Sequence, residues 1–321
     1  MSRVTRRSMI QFQIESGYGA APVSWAATDA IQINGKPRHR IVRDVVSRDL
    51  LRPSLGGSEQ MVAARVAEIE YDVELAGSGT PGTEPAWGKL LRACGMSQTI
   101  TAGNRVEYAP GAGNVASGSI RYVIDGVAYY SRGLRGTFKA KLPAYGLPML
   151  SFMFKGYDTY SIELALPSSD LTAFKRPVVL TDVNSGEIRL GGSYSAGAVT
   201  GGTVLQSRDL ELDIGNTVSH LKVLSGERIE ITGREAKGKS QVFLTAADEV
   251  TWRNDINSNV LTSLGFSYGT SAGNRVTIWA PSGQRVDPQA GDYEGLVMME
   301  NEWRFLPQGA AGNDELVIVA R

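Results

Sequence analysis

The chain has 321 residues, with 33 Lys+Arg against 33 Asp+Glu and a single cysteine, Cys94. Zero formal net charge removes any global electrostatic case for a nucleic-acid or anionic-membrane binder. One cysteine removes an internal disulfide and a cysteine metal site, and fits folding in a reducing cytoplasm. No apolar run approaches the roughly 18–20 residues of a membrane helix, and MSRVTRRSMIQF lacks the apolar core of a signal peptide.

The length suits two ordinary domains with proper cores. Plentiful Gly, Val, Thr, Tyr and Ser suit a mainly β chain with many turns. Residues 1–52 carry nine Lys/Arg against four Asp/Glu and predict strands at Met9–Ile14, Ala30–Ile33 and Arg40–Val46. Ser47–Gln60 reads as a loop that exposes Leu50, Leu51 and Leu55, which is costly unless something covers them. Val62–Leu75 alternates as a long strand. Glu68, Glu70, Asp72 and Glu74 fall on one side and Ile69, Tyr71, Val73 and Leu75 on the other. Pro85 precedes a helix over Ala86–Cys94, whose Trp87, Leu90, Leu91 and Cys94 share a face. Strands follow at Val106–Tyr108, Ser119–Ile124, Val127–Gly133, Leu134–Lys141 and Leu147–Lys155. Asp125-Gly126 forms a hairpin turn between two of them.

Residues 166–177 read as a linker between a first domain, 1–165, and a second, 178–321. The second predicts strands at Val178–Leu180, Glu187–Leu190, Val204–Ile214, Arg228–Thr232 and Gln241–Ala246. A helix near Val250–Leu264 and strands at Val276–Ala280, Gly295–Leu306 and Glu315–Ala320 complete it. Its loop Ser219–Glu227, with Leu221, Val223 and Leu224, corresponds loosely to the first apolar loop. The halves share a signature: Ala102-Gly-Asn-Arg-Val106 recurs at Ala272–Val276, 170 residues on, with Leu91, Gly95 and Ser97 matching Leu261, Gly265 and Ser267. A spacing this long means a duplicated domain rather than a solenoid.

Chemistry is sparse. Gly77-Ser-Gly-Thr-Pro-Gly82 is a literal G-x-G-x-x-G, but the preceding strand has an acidic face and so is not doubly buried. Pro81 also removes a donor from any phosphate cradle. His39 and His220 each lack a companion at metal spacing and read as solvated surface residues. The four carboxylates could bind cations or serve glycosidic chemistry; a solvated or interface-lining face is the simpler reading. Lys36-Pro-Arg-His-Arg40 reads as solvated, and Cys94 and Trp87 as packing residues. No cofactor, metal or catalytic set is expected.

Several stretches together resemble one family. They are Glu15-Ser-Gly-Tyr-Gly-Ala-Ala-Pro22, Glu74–Thr80 with Pro85–Gly95, Ile124-Asp-Gly126, Gly133–Gly136 leading to Pro148–Gly156, and Ala311–Leu316. They are similar to the tail tube proteins of siphophages, the long non-contractile-tailed bacteriophages; Glu74–Gly95 is the most specific stretch. The resemblance implies a non-enzymatic virion subunit, assembled in the host bacterial cytoplasm. It implies two tandem tail-tube-like β-sandwich or partial-barrel domains, each with one short helix. Subunits would form rings that stack into a tube, with tail terminator, tape measure and tail tip proteins as further partners. Phage DNA would pass through the lumen without specific binding, and no membrane is involved. With two tube folds per chain the expected ring is a trimer with pseudo-sixfold symmetry, ahead of a hexamer whose second lobe decorates the outside. Glu68, Glu70, Asp72 and Glu74 are the lumen-lining candidates. Leu50, Leu51, Leu55, Leu221, Val223 and Leu224 are the ring-to-ring candidates. The alternative class is a carbohydrate- or receptor-binding β-sandwich of a virion, for which Tyr129, Tyr130, Tyr157 and Tyr160 are the aromatic candidates.

Overall fold

A computed structural model describes residues 3–54, 56–111, 113 and 115–321. The chain is mainly β, with 55% of it in strands. The first half runs β1 (Ser8–Ile14), β2 (Ala30–Ile31), β3 (Asn34–Ser47), β4 (Gln60–Glu74), α1 (Gly88–Ala93), β5 (Met96–Thr101), β6 (Arg105–Pro110), β7 (Gly118–Ile124), β8 (Val127–Pro143) and β9 (Met149–Glu163). Residues 164–184 carry no strand or helix. The second half runs β10 (Ser185–Leu190), β11 (Ser193–Ser195), β12 (Ala198–Thr200), β13 (Thr203–Asp213), β14 (Asn216–Val223), β15 (Gly226–Arg234), β16 (Lys237–Phe243), α2 (Ala246–Asn257), β17 (Leu261–Tyr268), β18 (Val276–Tyr293), β19 (Leu296–Phe305) and β20 (Val317–Ala320).

The second half closes a six-stranded barrel, in the circular order β10, β13, β16, β19, β18, β17. The first half follows the same order with β1, β2–β3, β4, β9, β8 and β7; its ring breaks at Gln32-Ile33, between β2 and β3. In both halves three strands precede the helix and three more complete the circuit. The halves are not separate bodies. The end of β8 pairs with β13, Lys141 opposite Glu211, and one buried cluster runs through both barrels.

Local sequence explains most elements. Alternation in β4 buries Ile69, Tyr71 and Val73 and leaves Glu68, Glu70, Asp72 and Glu74 on the opposite face. In α1, Gly88, Leu90, Leu91 and Ala93 are buried, and Gly95 stops the helix at φ +82°. Trp87 is buried and its Nε1 donates to Ala76 O at 2.7 Å. Asp125 and Gly126 both adopt positive φ, as a two-residue hairpin turn requires.

Five expectations are corrected. The second helix lies earlier, at Ala246–Asn257. Thr245 caps it by accepting from Asp248 N, while Leu261 and Leu264 belong to β17, where Leu264 faces the barrel core. Val178–Leu180 is not a strand; Leu180 is buried and exchanges backbone bonds with Tyr145 and Gly146. Val127–Gly133 and Leu134–Lys141 are one strand, bulged between Arg132 and Arg135. The strand from Val276 does not stop at Ala280. Its ladder with β17 skips from Ala280 to Gly283, so the missing donor of Pro281 falls on the bulge. The loop Ser219–Glu227 is itself a hairpin, β14–β15, turning at Leu224-Ser225.

The Ala-Gly-Asn-Arg-Val repeat marks a different relation from the one expected. The topological counterpart of β17–β18 is β7–β8, whereas the repeat lies on β5–β6. What its two copies share is β20. Val106, Glu107 and Tyr108 pair with Ala320, Val319 and Ile318, and Val276, Thr277 and Ile278 pair with the same three residues on the other edge. The 170-residue spacing thus relates two parallel strands on either side of β20.

Candidate functional site

The motifs with a chemical look take structural roles. The Gly77–Gly82 loop straps the tips of both repeated segments together. Gly79 N donates to Gly273 O at 2.8 Å, and Gly77 N donates to Asn274 Oδ1 at 3.1 Å. A Cβ on Gly77 would collide with the Gly273 backbone, and one on Gly82 with the backbone of Gly103 and Asn104. The glycines therefore admit backbone, not phosphate. His39 is not a solvated residue: its ring packs against Tyr122 and Tyr129, and burial lowers its pKa despite the charge of Asp158. His220 is half-buried and bonded to Glu227 within β14–β15. Cys94 is buried, which pushes its thiol pKa up. The four candidate tyrosines do not line one cleft. Tyr130 is buried and stacks on Tyr160, Tyr129 meets His39, and Tyr157 donates to Glu227 O. Among the described residues no group of three or more His, Cys, Asp or Glu could hold a metal ion.

The larger feature is one outward sheet face that crosses both halves. Ladders run without a gap through β3, β4, β9, β8, β13, β16, β19 and β18. The carboxylates of β4 lie on it, but the face is not acidic. Arg40 donates to Glu68 at 3.1 Å through Nε, and Lys155 Nζ approaches Glu68 at 3.6 Å from the other side. Partial burial would raise the Glu68 pKa; Arg40 and Lys155 outweigh it and hold the carboxyl below its usual range. Arg38 faces Glu70 at 3.7 Å. Further along, Lys139 Nζ lies 3.3 Å from both Glu211 and Asp213, and Lys239 lies 2.7 Å from Glu302. The flanking strands supply the cations, so the sheet alternates in sign where the β4 sequence alone reads as a negative row. Lys139-Ala-Lys141 and Asp209-Leu-Glu-Leu-Asp213 alternate charge with apolar residues just as β4 does. That signal was available in the sequence for the rest of the face.

Two hairpins project from one end of this face. The first is the far part of β3–β4, where Val45, Val46, Leu50, Leu51, Met61 and Val62 are exposed; Leu55 lies outside the described residues. The second is β14–β15, with Leu221, Val223 and Leu224 exposed. Its base is anchored by Asn216, whose side chain donates to Cys94 O at 2.6 Å and Gly136 O at 3.0 Å. Higher up, Arg135 pairs with Glu230, donates to Ile229 O at 3.1 Å and stacks over Tyr18. Near the tip Lys222 bonds to Asp44 of β3, which holds that carboxyl below its usual range. The ring-contact candidates from the two halves therefore stand side by side.

The face ends in two strand edges. β3 pairs only with β4, and β18 beyond Gln284 pairs only with β19, among the described residues. Lys36, Arg38 and Arg40 mark the first edge; Asp287, Asp292 and the following Glu294 mark the second. Unpaired edges of opposite charge are a template for joining chains. Comparison with protein-family models and with curated proteins gives no match.

Proposed function

We propose that the protein is a structural subunit of a bacteriophage tail tube, as its resemblance implies, and not an enzyme. The observation that carries this reading is the internal β8–β13 junction. It joins the last strand of one four-strand half-face, β3–β4–β9–β8, to the first strand of the next, β13–β16–β19–β18. The same order in both halves leaves β18 and β3 as the edges that would repeat that junction between chains. Such a head-to-tail contact closes into a ring when the rotation closes. Each half then occupies one of six similar positions, and three chains complete the circle. The common face favours this trimer over a hexamer with an outer second lobe. Both halves, and both hairpins, are read as products of a duplicated tube domain.

The common face becomes the lumen wall, with Glu68, Glu70, Asp72 and Glu74 on it. DNA adheres where cations are free to replace counterions at phosphate. Here Lys139, Lys155 and Lys239 already lie beside carboxylates. The duplex slides because many of the wall's cations already lie beside carboxylates, rather than because the wall is negative. Electron microscopy of the concentrated protein, averaged down the tube axis, tests the reading. Rings with six similar lobes from three chains are expected. Monomers that never form rings, with or without a tail-tip initiator, would overturn it.

A further inference from the structure

The tip Val223-Leu224-Ser225-Gly226 exposes two apolar side chains, and Leu224 is fully open to solvent. At the opposite end of the same barrel lies an open cleft of about 530 Å³. Leu142, Tyr145, Leu180, Val204, Phe243 and Phe266 line its apolar part. One continuous unit connects the two features. β13 runs from the cleft at Val204 to the hairpin base at Asp213; the hairpin follows, and β16 returns to the cleft at Phe243. A knob and a socket at opposite ends of one unit cannot meet within a single chain. Contact between them requires copies arranged end to end, which gives an open stack.

Charge points to the same occupant. The cleft wall carries Asp182 and Asp209, with Glu187 already paired to Arg189, while its Arg208 is turned onto the Tyr293 ring at 4.6 Å. Asp209 is half-buried: burial, with smaller contributions from Glu300 and Glu211, raises its pKa despite the nearby Arg208. Near Leu224 the tip carries Lys222, whose present partner Asp44 is half-exposed, so the lysine can change partners at small cost. The hairpin, with eight residues in β14, reaches roughly 27 Å.

We propose that the Val223-Leu224 tip of β14–β15 seats in this cleft of a second copy in the adjacent ring, with Lys222 against its acidic wall. The proposal rests on the tube reading above and names the acceptor of the ring-to-ring contact. The seat takes an aliphatic knob from the same protein; the cleft is then part of an axial joint.

The test is a pair of cysteines, Leu224→Cys with Val204→Cys, in the full chain, bridged by a short bis-maleimide in assembled tubes. Cys94 is buried and contributes little background. A ladder of linked chains in the double variant, absent from either single variant, is the expected result. In parallel, Leu224→Asp should leave the circular dichroism spectrum unchanged and raise the concentration needed for stacking by at least about tenfold. Tubes that form without cross-links, or Leu224→Asp tubes that stack normally, overturn the seat and leave the tube reading standing. A wild-type chain that forms no rings overturns both.

Discussion

The two barrels share a strand order but fill and extend it differently. In the first half the helix is a plug: α1 has six residues, four of them buried, and Trp87 beside it is sealed. In the second half the helix is a cover: α2 has twelve residues, and only Trp252 is buried. The arms differ too. The first is made by the barrel strands β3 and β4 running on past the body; the second is a separate hairpin set between β13 and β16. The strand circuit is thus the constant of the design, and helix and arm are variables hung on it.

The largest effect should expose this contrast in the helices. Trp87→Ala removes a fully buried ring and leaves the Ala76 carbonyl without its donor, for a loss of about 3–5 kcal/mol. Trp252→Ala uncovers Arg285 and one edge of the buried Trp303, for about 2 kcal/mol. Urea midpoints of the two variants decide it. A cost at Trp252 equal to that at Trp87 would mean that the second helix is as deeply structural as the first.

Next in size is the strap between the repeated segments. Gly77→Ala forces a methyl into the Gly273 backbone and should cost about 2–3 kcal/mol. Gly103→Ala sits in open space, and only its φ of +67° is penalised, by about 1 kcal/mol. Equal destabilisation of the two variants would show that the strap yields, and that the halves are held mainly by β8–β13 and β20.

These contrasts follow what a sequence can and cannot carry. The β4 alternation, the Gly95 stop and the Asp125-Gly126 turn are local, and each is readable from neighbouring residues. The Gly77–Gly82 loop looks like a nucleotide motif because its reason lies about 200 residues away, in the Asn274 turn. The charge of the common face is equally non-local. Four carboxylates on β4 read as a negative wall until β3 and β9 bring Arg38, Arg40 and Lys155 beside them. The repeat misleads in a subtler way, since both copies answer to the pairing needs of β20 and not to equivalent places in the two barrels. Exposure of Leu50, Leu51, Leu221, Val223 and Leu224 was legible, because apolar residues in a turn-rich stretch have no partner in the local pattern.

A smaller effect probes the paired wall. Glu68 has its pKa held down in the folded state, so its contribution is present above the ordinary value of 4.5 and is lost as pH falls through the lower folded value. Glu68→Gln should cost about 0.5 kcal/mol at pH 7, and the gap to wild type should close in acid. A gap that persists well below pH 4 would mean that the glutamate acts through packing. Retention of dispersed subunits on heparin resin would then show whether freeing Arg40 and Lys155 makes the wall sticky, as phosphate binding to unpaired cations requires.

The smallest effect separates the second barrel alone from the second barrel in a stack. Asp209 has its pKa raised by burial and by Glu300 and Glu211, so the sign is opposite to that of Glu68. A folded pKa above the ordinary 3.8 means that ionisation opposes folding. The penalty is fully present above the folded pKa and fades as pH falls toward 3.8. Asp209→Asn should therefore stabilise the isolated chain at pH 7, by less than about 1 kcal/mol because the group is partly exposed, and give no gain in acid. If Lys222 of a stacked copy adds a second cation beside Asp209, the same substitution must weaken stacking at pH 7 while it strengthens the subunit. Denaturant midpoints of dispersed protein and the critical concentration of tubes measure the two quantities separately. Opposite signs would identify the acidic wall as strain in the free chain that the joint relieves. A gain in both would place Asp209 outside the joint, and the cleft would have to be held by its apolar lining alone.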